Sequence, residues 1–385
     1  MKDMHISKEF WKENPTFMSK VFEMVDKYDD VINLSIGDPD ILTYSKVIDL
    51  AAEDAHNGYT KYANFQGDPE LRAEIRKYYK EEFKMDVEDS EIFVSASGNI
   101  AMFMVMKAIV DPGDEVILVS PYYTPYPNQV IFNGGVPVEL CTYEEDDFQI
   151  DIDRFESVIT DRTKAIIINT PSNPSGSCLS LETMKKVSEV VIKHDLLVIA
   201  DDIYTELSFQ NPFVPIASLP GMRERTICIN SFSKNFLLTG WRVGNIVAPA
   251  KFINVIRRIN ETMCYAAPNI SQRAAIHALR HKDEFVPQFV EEYRQRMYYA
   301  AERVNQIPWM SVLYPPKGSF YLFINIKKSG LSSIDAMLKI LEEAHVLTLP
   351  GSEFGTSGEG FIRLCCTVGQ EELGKAFDRI EKIKF

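Results

Sequence analysis

The chain has little of what marks a cross-linked scaffold, a membrane protein or a nucleic-acid binder. Six cysteines, at 141, 178, 228, 264, 365 and 366, form no C-x-x-C pair, which argues against a zinc ribbon or a dithiol redox motif. Four of them lie in apolar or strand-like stretches, as reduced thiols of a cytosolic protein would. His5, His56, His194, His277, His281 and His345 show no metal-ligand spacing and read as structural. No run of about 18 apolar residues is present to span a bilayer, and the start, Met1 to Lys8, has no apolar signal-peptide core. Secretion and membrane insertion are disfavoured, and a cytoplasmic location is expected. With 41 Lys and Arg against 55 Asp and Glu, the formal charge of -14 disfavours a phosphate-backbone partner. Neither G-x-G-x-x-G nor G-x-x-x-x-G-K-[ST] occurs, against a dinucleotide or P-loop site. Internal repeats, heptads and Gly/Ser linkers are also missing.

What is there is an ordinary globular composition, 45% hydrophobic and 25% charged over 385 residues. That length exceeds what one core comfortably serves, so two domains are expected. From residue 90 onward, short Val/Ile-rich runs alternate with helical periodicity, the pattern of a mostly parallel sheet covered by helices. The expected strands are Ile92–Ser95, Glu115–Val119, Val136–Leu140, Ala165–Asn169, Leu197–Ala200, Thr226–Asn230 and Asn245–Ala248, with helices over Asn99–Val110, Leu181–His194 and Lys251–Met263. After about residue 280 come a long polar helix, Glu284–Val304, and an α+β segment with strands Ser319–Asn325 and Gly360–Cys365. The reading is an α/β chain: a large domain over residues 45–280, and a smaller α+β domain built from residues 1–44 with 281–385.

The chemistry gathers at strand ends. Lys234 follows the buried run Thr226–Asn230 and precedes Arg242 by eight residues, with Ser231 beside it. Partial burial and nearby cations let a lysine shed its charge and form an imine, while Ser231 and Arg242 supply a hydroxyl and a fork of donors for phosphate. Together they suit a phosphate-bearing aldehyde, the chemistry of pyridoxal phosphate. Taken alone, Lys234 and Arg242 are surface charges on a glycine-containing turn. Asp201 closes the run Leu196–Ala200; a carboxylate there needs a cationic partner or has a raised pKa. Taken alone it is a helix N-cap, a role for which Asp202 is the better candidate. Ser97-Gly98-Asn99, between a strand and a helix, offers backbone amides to an anion. Arg363, mid-strand among apolar neighbours, must face a partner, and by itself reads as half of an ion pair.

The Ser231–Arg242 spacing resembles the lysine motif of the class I and II aminotransferases, which are fold type I pyridoxal phosphate enzymes. The resemblance runs from Gly37 to Arg363 with the motifs in order. It implies a fold type I transferase with a mostly parallel seven-stranded sheet, and pyridoxal 5′-phosphate as cofactor. It also implies that Lys234 holds the cofactor as an imine, Asp201 meets the pyridine nitrogen, and Tyr204 and Asn173 meet the ring hydroxyl. Tyr123 would stack on the ring, which is worth about 0.5–1.5 kcal/mol beyond burial; Tyr122 and Tyr126 then read as loop packing. Ser97, Gly98 and Asn99, with Ser231 and Arg242, would hold the phosphate. Arg363 would clamp a substrate α-carboxylate, aided by the backbone near Gly37, and Tyr62 would cross a homodimer interface to reach the neighbouring phosphate. Two departures stand out: Ile41-Leu42-Thr43-Tyr44 on the substrate side, and Asn99-Ile100 in the phosphate turn. The implied activity moves an amino group from an L-amino acid, aromatic or broad in range, to a 2-oxo acid such as 2-oxoglutarate. A C–S β-lyase of the same fold is the alternative, and a ligand-sensing regulator would need a basic helix-turn-helix that residues 1–36 do not supply.

Overall fold

The computed structural model describes residues 21, 24, 25, 27–210 and 212–384. His5 lies outside them. Twelve strands are formed among the described residues: β1 (Ile32–Asn33), β2 (Ile92–Ser95), β3 (Glu115–Ser120), β4 (Val136–Cys141), β5 (Thr163–Asn169), β6 (Leu197–Asp201), β7 (Thr226–Ser231), β8 (Gly244–Val247), β9 (Tyr321–Asn325), β10 (Val346–Leu347), β11 (Leu349–Pro350) and β12 (Phe361–Cys365). The seven strands expected between residues 92 and 248 all form, with ends displaced by a residue or two.

These seven make one sheet in the order β2-β8-β7-β6-β5-β3-β4. Pairing is parallel from β7 through β6, β5 and β3 to β4, while β8 is antiparallel to both β7 and β2. Six strands therefore run one way and end on one edge, to which β8 contributes its start. Side chains alternate between two apolar layers, as a pleated strand covered on both faces requires. Val198 and Ala200 of β6 join the layer beneath helices Pro69–Phe83 and Leu181–Lys193, and Ile199 joins the layer beneath Gly98–Ile109 and Ala250–Met263. Each fully buried large apolar side chain contributes about 1.5–3 kcal/mol over its exposed state.

A second, three-stranded sheet, β11-β12-β9, is antiparallel and lies against helices Lys282–Gln306, Ser333–Ala344 and Gln370–Ile380 around a separate core that includes Ile324, Ile362 and Phe377. The segment before Gly37 is tied to this part. β1 pairs with β10, and Leu34 accepts a backbone hydrogen bond from Cys365 at 2.8 Å.

Candidate active site

Ligands of open α/β sheets bind beyond the carboxyl ends of the strands, and that edge carries the expected residues here. Asp201 ends β6 and Ser231 ends β7. The turn Ser97–Gly98 follows β2, and Arg242 arrives just before β8 because that strand runs the other way. A cavity of about 210 Å³ brings together Ser97, Gly98, Asn99, Tyr123, Asp201, Ser231, Lys234 and Arg242.

The turn is unusual. Ser97 has φ of +123°, a region that non-glycine residues rarely adopt and that concentrates at functional sites. Its hydroxyl accepts from the amide of Ile100 at 3.2 Å, capping helix Gly98–Ile109, whose first amides face the edge. Arg242, at φ +55°, donates to the carbonyl of Thr239 at 2.8 Å and makes no ion pair among the described residues.

Lys234 lies in the short helical turn Phe232–Asn235, capped by Ser231. Its Nζ donates to the carbonyl of Gly37 at 2.5 Å. Burial above all pulls its pKa down to about 8; Asp38 opposes this, and Arg242 and Arg363 add to it. About a tenth of the amine is therefore uncharged at pH 7, far more than in an ordinary lysine. Asp201, deeply buried, is pushed up to about 6 by burial, and a hydrogen bond from Tyr126 works against that rise. Asp201 is thus a strand end with a raised pKa, and not a helix cap.

Arg363 on β12 completes a second cluster. It is 6% exposed, donates from Nη1 to Asn173 Oδ1 at 3.0 Å and from Nη2 to the carbonyl of Ser35 at 2.5 Å, and its buried Nε has no partner. No carboxylate pairs with it among the described residues, so the ion-pair reading is corrected. Its guanidinium lies over the rings of Tyr321 and Phe354, at 4.7 and 4.9 Å. Asn173 in turn donates its backbone amide to Asn169, which donates to the carbonyl of Asp201, both at 2.8 Å. Tyr204 is buried, with its hydroxyl 3.1 Å from that of Tyr321. Gly37 has to be glycine, since a Cβ there would run into the Tyr321 hydroxyl.

Two assignments change. Tyr126 is no mere packing residue: it lines the cavity and holds Asp201. Asp202 caps nothing, because the chain turns after β6 and the next short helix has Tyr204 at its cap position. Asp202 is buried beside Asp201 and Cys228, and burial, followed by the charge of Asp201, pushes it up to about 8. Tyr62 stands apart, 87% exposed and edge-on to Tyr265 at 5.3 Å. Sequence reasoning missed Tyr126, Gln129, Asn169 and Tyr321. Of these only Tyr126, three residues after Tyr123 in a Pro-rich loop, carried a usable signal.

An amine poised near neutrality, a buried carboxylate facing it across a cavity, and an arginine with an unpartnered nitrogen can together hold a carbonyl compound and a carboxylate. Residues 29–380 match the family described as aminotransferase class I and II. The chain belongs to that family. An aspartate aminotransferase of Pyrococcus abyssi is 37% identical over 96% of each chain. An aromatic-amino-acid aminotransferase of Thermococcus litoralis is 34% identical over 99% of this chain and 98% of its own. The structure of an aromatic aminotransferase from Pyrococcus horikoshii superposes with a TM-score of 0.89 at 35% identity, covering 94% of this chain and 98% of that one. The fold is that of these aminotransferases, and the chain is a transaminase. The C–S β-lyase alternative finds no support among these names.

Proposed function

We propose that this aminotransferase moves the amino group of an L-amino acid to a 2-oxo acid such as 2-oxoglutarate, using pyridoxal 5′-phosphate joined to Lys234. The observation that carries the reading is convergence on one piece of backbone: Lys234 Nζ reaches the carbonyl of Gly37, and Arg363 Nη2 that of Ser35. Amine and carboxylate clamp therefore face one small volume, where a fixed geometry is worth several kcal/mol of the barrier.

The residues fit the cofactor. Asp201 is buried with no cation paired to it among the described residues, as suits a carboxylate awaiting a protonated ring nitrogen. Ser231, Arg242 and the amides of the turn at Ser97, Gly98 and Asn99 offer donors to a phosphate. Tyr123 provides a ring face, and Tyr204 and Asn173 provide polar groups for a ring hydroxyl. When bound, the cofactor supplies an electron sink for the substrate's Cα carbanion. Arg363 would hold the α-carboxylate by its fork and fix the Cα–H bond, and Lys234 Nζ, released when the substrate amine takes its place on the cofactor, would take the proton from Cα as general base.

The aromatic walls formed by Tyr321 and Phe354 beside Arg363 favour an aromatic or broad amino donor. The exposure of Tyr62, Tyr265 and Leu42 supports a homodimer in which Tyr62 completes the site of the other copy. We further infer a large domain over residues 45–280, a small one from 1–44 with 281–385, and a cytoplasmic setting. No helix among the described residues is long and apolar enough to cross a membrane.

The test is an absorbance spectrum of the cofactor-loaded protein, recorded with a panel of L-amino acids and no oxo acid. Conversion to the aminated cofactor, reversed by 2-oxoglutarate, is expected. Persistence of the original band with release of pyruvate and ammonia from cystathionine would overturn it. Lys234→Ala should lose turnover while still binding phosphate, and multiple turnover in that variant would remove Lys234 from the chemistry.

A further inference from the structure

We propose that Gln129 is a positioning residue that aims the side chain of Asn99 at the cofactor phosphate; this rests on reading residues 97–99 as the phosphate site. Gln129 lies in helix Tyr126–Ile131, one turn beyond Tyr126, and is 6% exposed on the wall of the cavity that holds Lys234 and Arg242. Its Nε2 donates to Asn99 Oδ1 at 2.7 Å and to the backbone carbonyl of Asn99 at 3.3 Å.

The second contact decides the orientation of both amides. A backbone carbonyl only accepts, so the end of Gln129 facing it is the NH₂. The Oδ1 of Asn99 is then committed as acceptor, which leaves its Nδ2 as the donor for an anion. An Asn99 without this anchor presents oxygen or nitrogen at similar cost, and an oxygen facing a phosphate dianion repels it. Within residues 97–100, Asn99 alone carries a side-chain amide that could present either oxygen or nitrogen to the anion. The hydroxyl of Ser97 accepts from the Ile100 amide and keeps one O–H to donate, and Ile100 carries no polar side-chain group.

The Oε1 of Gln129 is buried without a hydrogen-bond partner, and buried acceptors are rarely left so. Asn133 Nδ2 pins the residue from behind, donating to the carbonyl of Gln129 at 2.8 Å. Gln129 thus presents the turn with a fixed donor.

The experiment compares release of pyridoxal 5′-phosphate and of pyridoxal, which lacks the phosphate, from the full-length protein and its Gln129→Met, Asn99→Ala and double variants. Gln129→Met should weaken pyridoxal 5′-phosphate about tenfold, the size of one lost charge-assisted hydrogen bond, and leave pyridoxal within about twofold. The double variant should bind no more weakly than Asn99→Ala, because Gln129 acts through that residue. Equal losses for both ligands, or losses that add in the double variant, would overturn the proposal. If Gln129→Met fails to fold, Gln129→Glu keeps the shape and faces Asn99 with two acceptors; it should lose phosphate preference more strongly, and an unchanged preference overturns the proposal. A wild-type protein that does not prefer pyridoxal 5′-phosphate to pyridoxal refutes the phosphate reading itself.

Discussion

Tyr126 donates its phenolic hydrogen to Oδ2 of Asp201, so a tyrosine at the start of helix Tyr126–Ile131 favours the charged form of a carboxylate at the end of β6. Burial lifts Asp201 to about 6 and the tyrosine restrains the rise. Tyr126→Phe removes one oxygen and leaves the packing. The Asp201 carboxyl should then titrate above about 6 in the cofactor-free protein, by a unit or more, since a hydrogen bond to a charged group is worth about 1.5–3 kcal/mol. Carbon-13 NMR of labelled aspartate reads this directly, and an unmoved midpoint would show that the bond does not hold the charge.

Asp202 yields a prediction about stability. Its folded-state pKa, about 8, lies above the ordinary aspartate value of 3.8. Folding therefore favours its protonated form, and the stability it allows is full below about pH 4 and falls as pH rises towards 8. Each tenfold change in proton affinity is about 1.4 kcal/mol. Asp202→Asn stays neutral throughout, so it should lose less stability than wild type between pH 5 and pH 8 in urea unfolding of the cofactor-free protein. Carboxylates with lowered values, such as Asp54, Glu70 and Glu115, act at lower pH and do not confuse the comparison. A pH 5 to 8 loss identical in both proteins would place the cost elsewhere, with Asp201 and Glu206 the next candidates.

The sequence showed the strands and strand-end charges well, for a physical reason. A run such as Leu197–Ala200, apolar on both faces, has few alternatives to a covered parallel strand, and an Asp, Lys or Arg at its end or in its midst stands out because burial makes charge costly. Tyr126 and Tyr321 lacked such a mark. A tyrosine in a Tyr-rich loop looks the same whether its hydroxyl meets solvent or a carboxylate 75 residues away, and Tyr321 reaches Tyr204 across 117 residues from a different sheet. Asp202 misled because Asp is a good cap, whereas the turn that follows β6 places the cap position two residues later. Gln129 was invisible for want of charge: its meaning lies in which of its two amide atoms faces a carbonyl, and that is known only once the turn at Asn99 is folded.

Lys234 should react with an aldehyde over a pH range far below that of an ordinary lysine. Its pKa of about 8 comes first from burial, with Asp38 pulling upward. Borohydride trapping of pyridoxal on the cofactor-free protein should follow a midpoint near pH 8. Asp38→Asn removes the anion that favours the charged amine, so its midpoint should fall below 8. A midpoint near 10.5 in wild type would deny the desolvation, and an unmoved midpoint in the variant would deny the role of Asp38.

Tyr62 bears on assembly, because it is 87% exposed and does not line the cavity that holds Lys234 of its own chain. If it serves the other copy of a homodimer, Tyr62→Ala and Lys234→Ala subunits are each defective but carry complementary halves. Refolded together, a hybrid dimer has one site in which Lys234 comes from one chain and Tyr62 from the other, and that site is complete. The Lys234→Ala protein alone should be inactive and the Tyr62→Ala protein should bind cofactor about tenfold more weakly, as for one lost hydrogen bond to phosphate. At limiting cofactor the mixture should exceed the sum of the two, with about half of the refolded dimers being hybrids by random pairing. Activity no greater than that sum, in a mixture shown by native mass spectrometry to contain hybrids, would confine Tyr62 to the surface of its own chain.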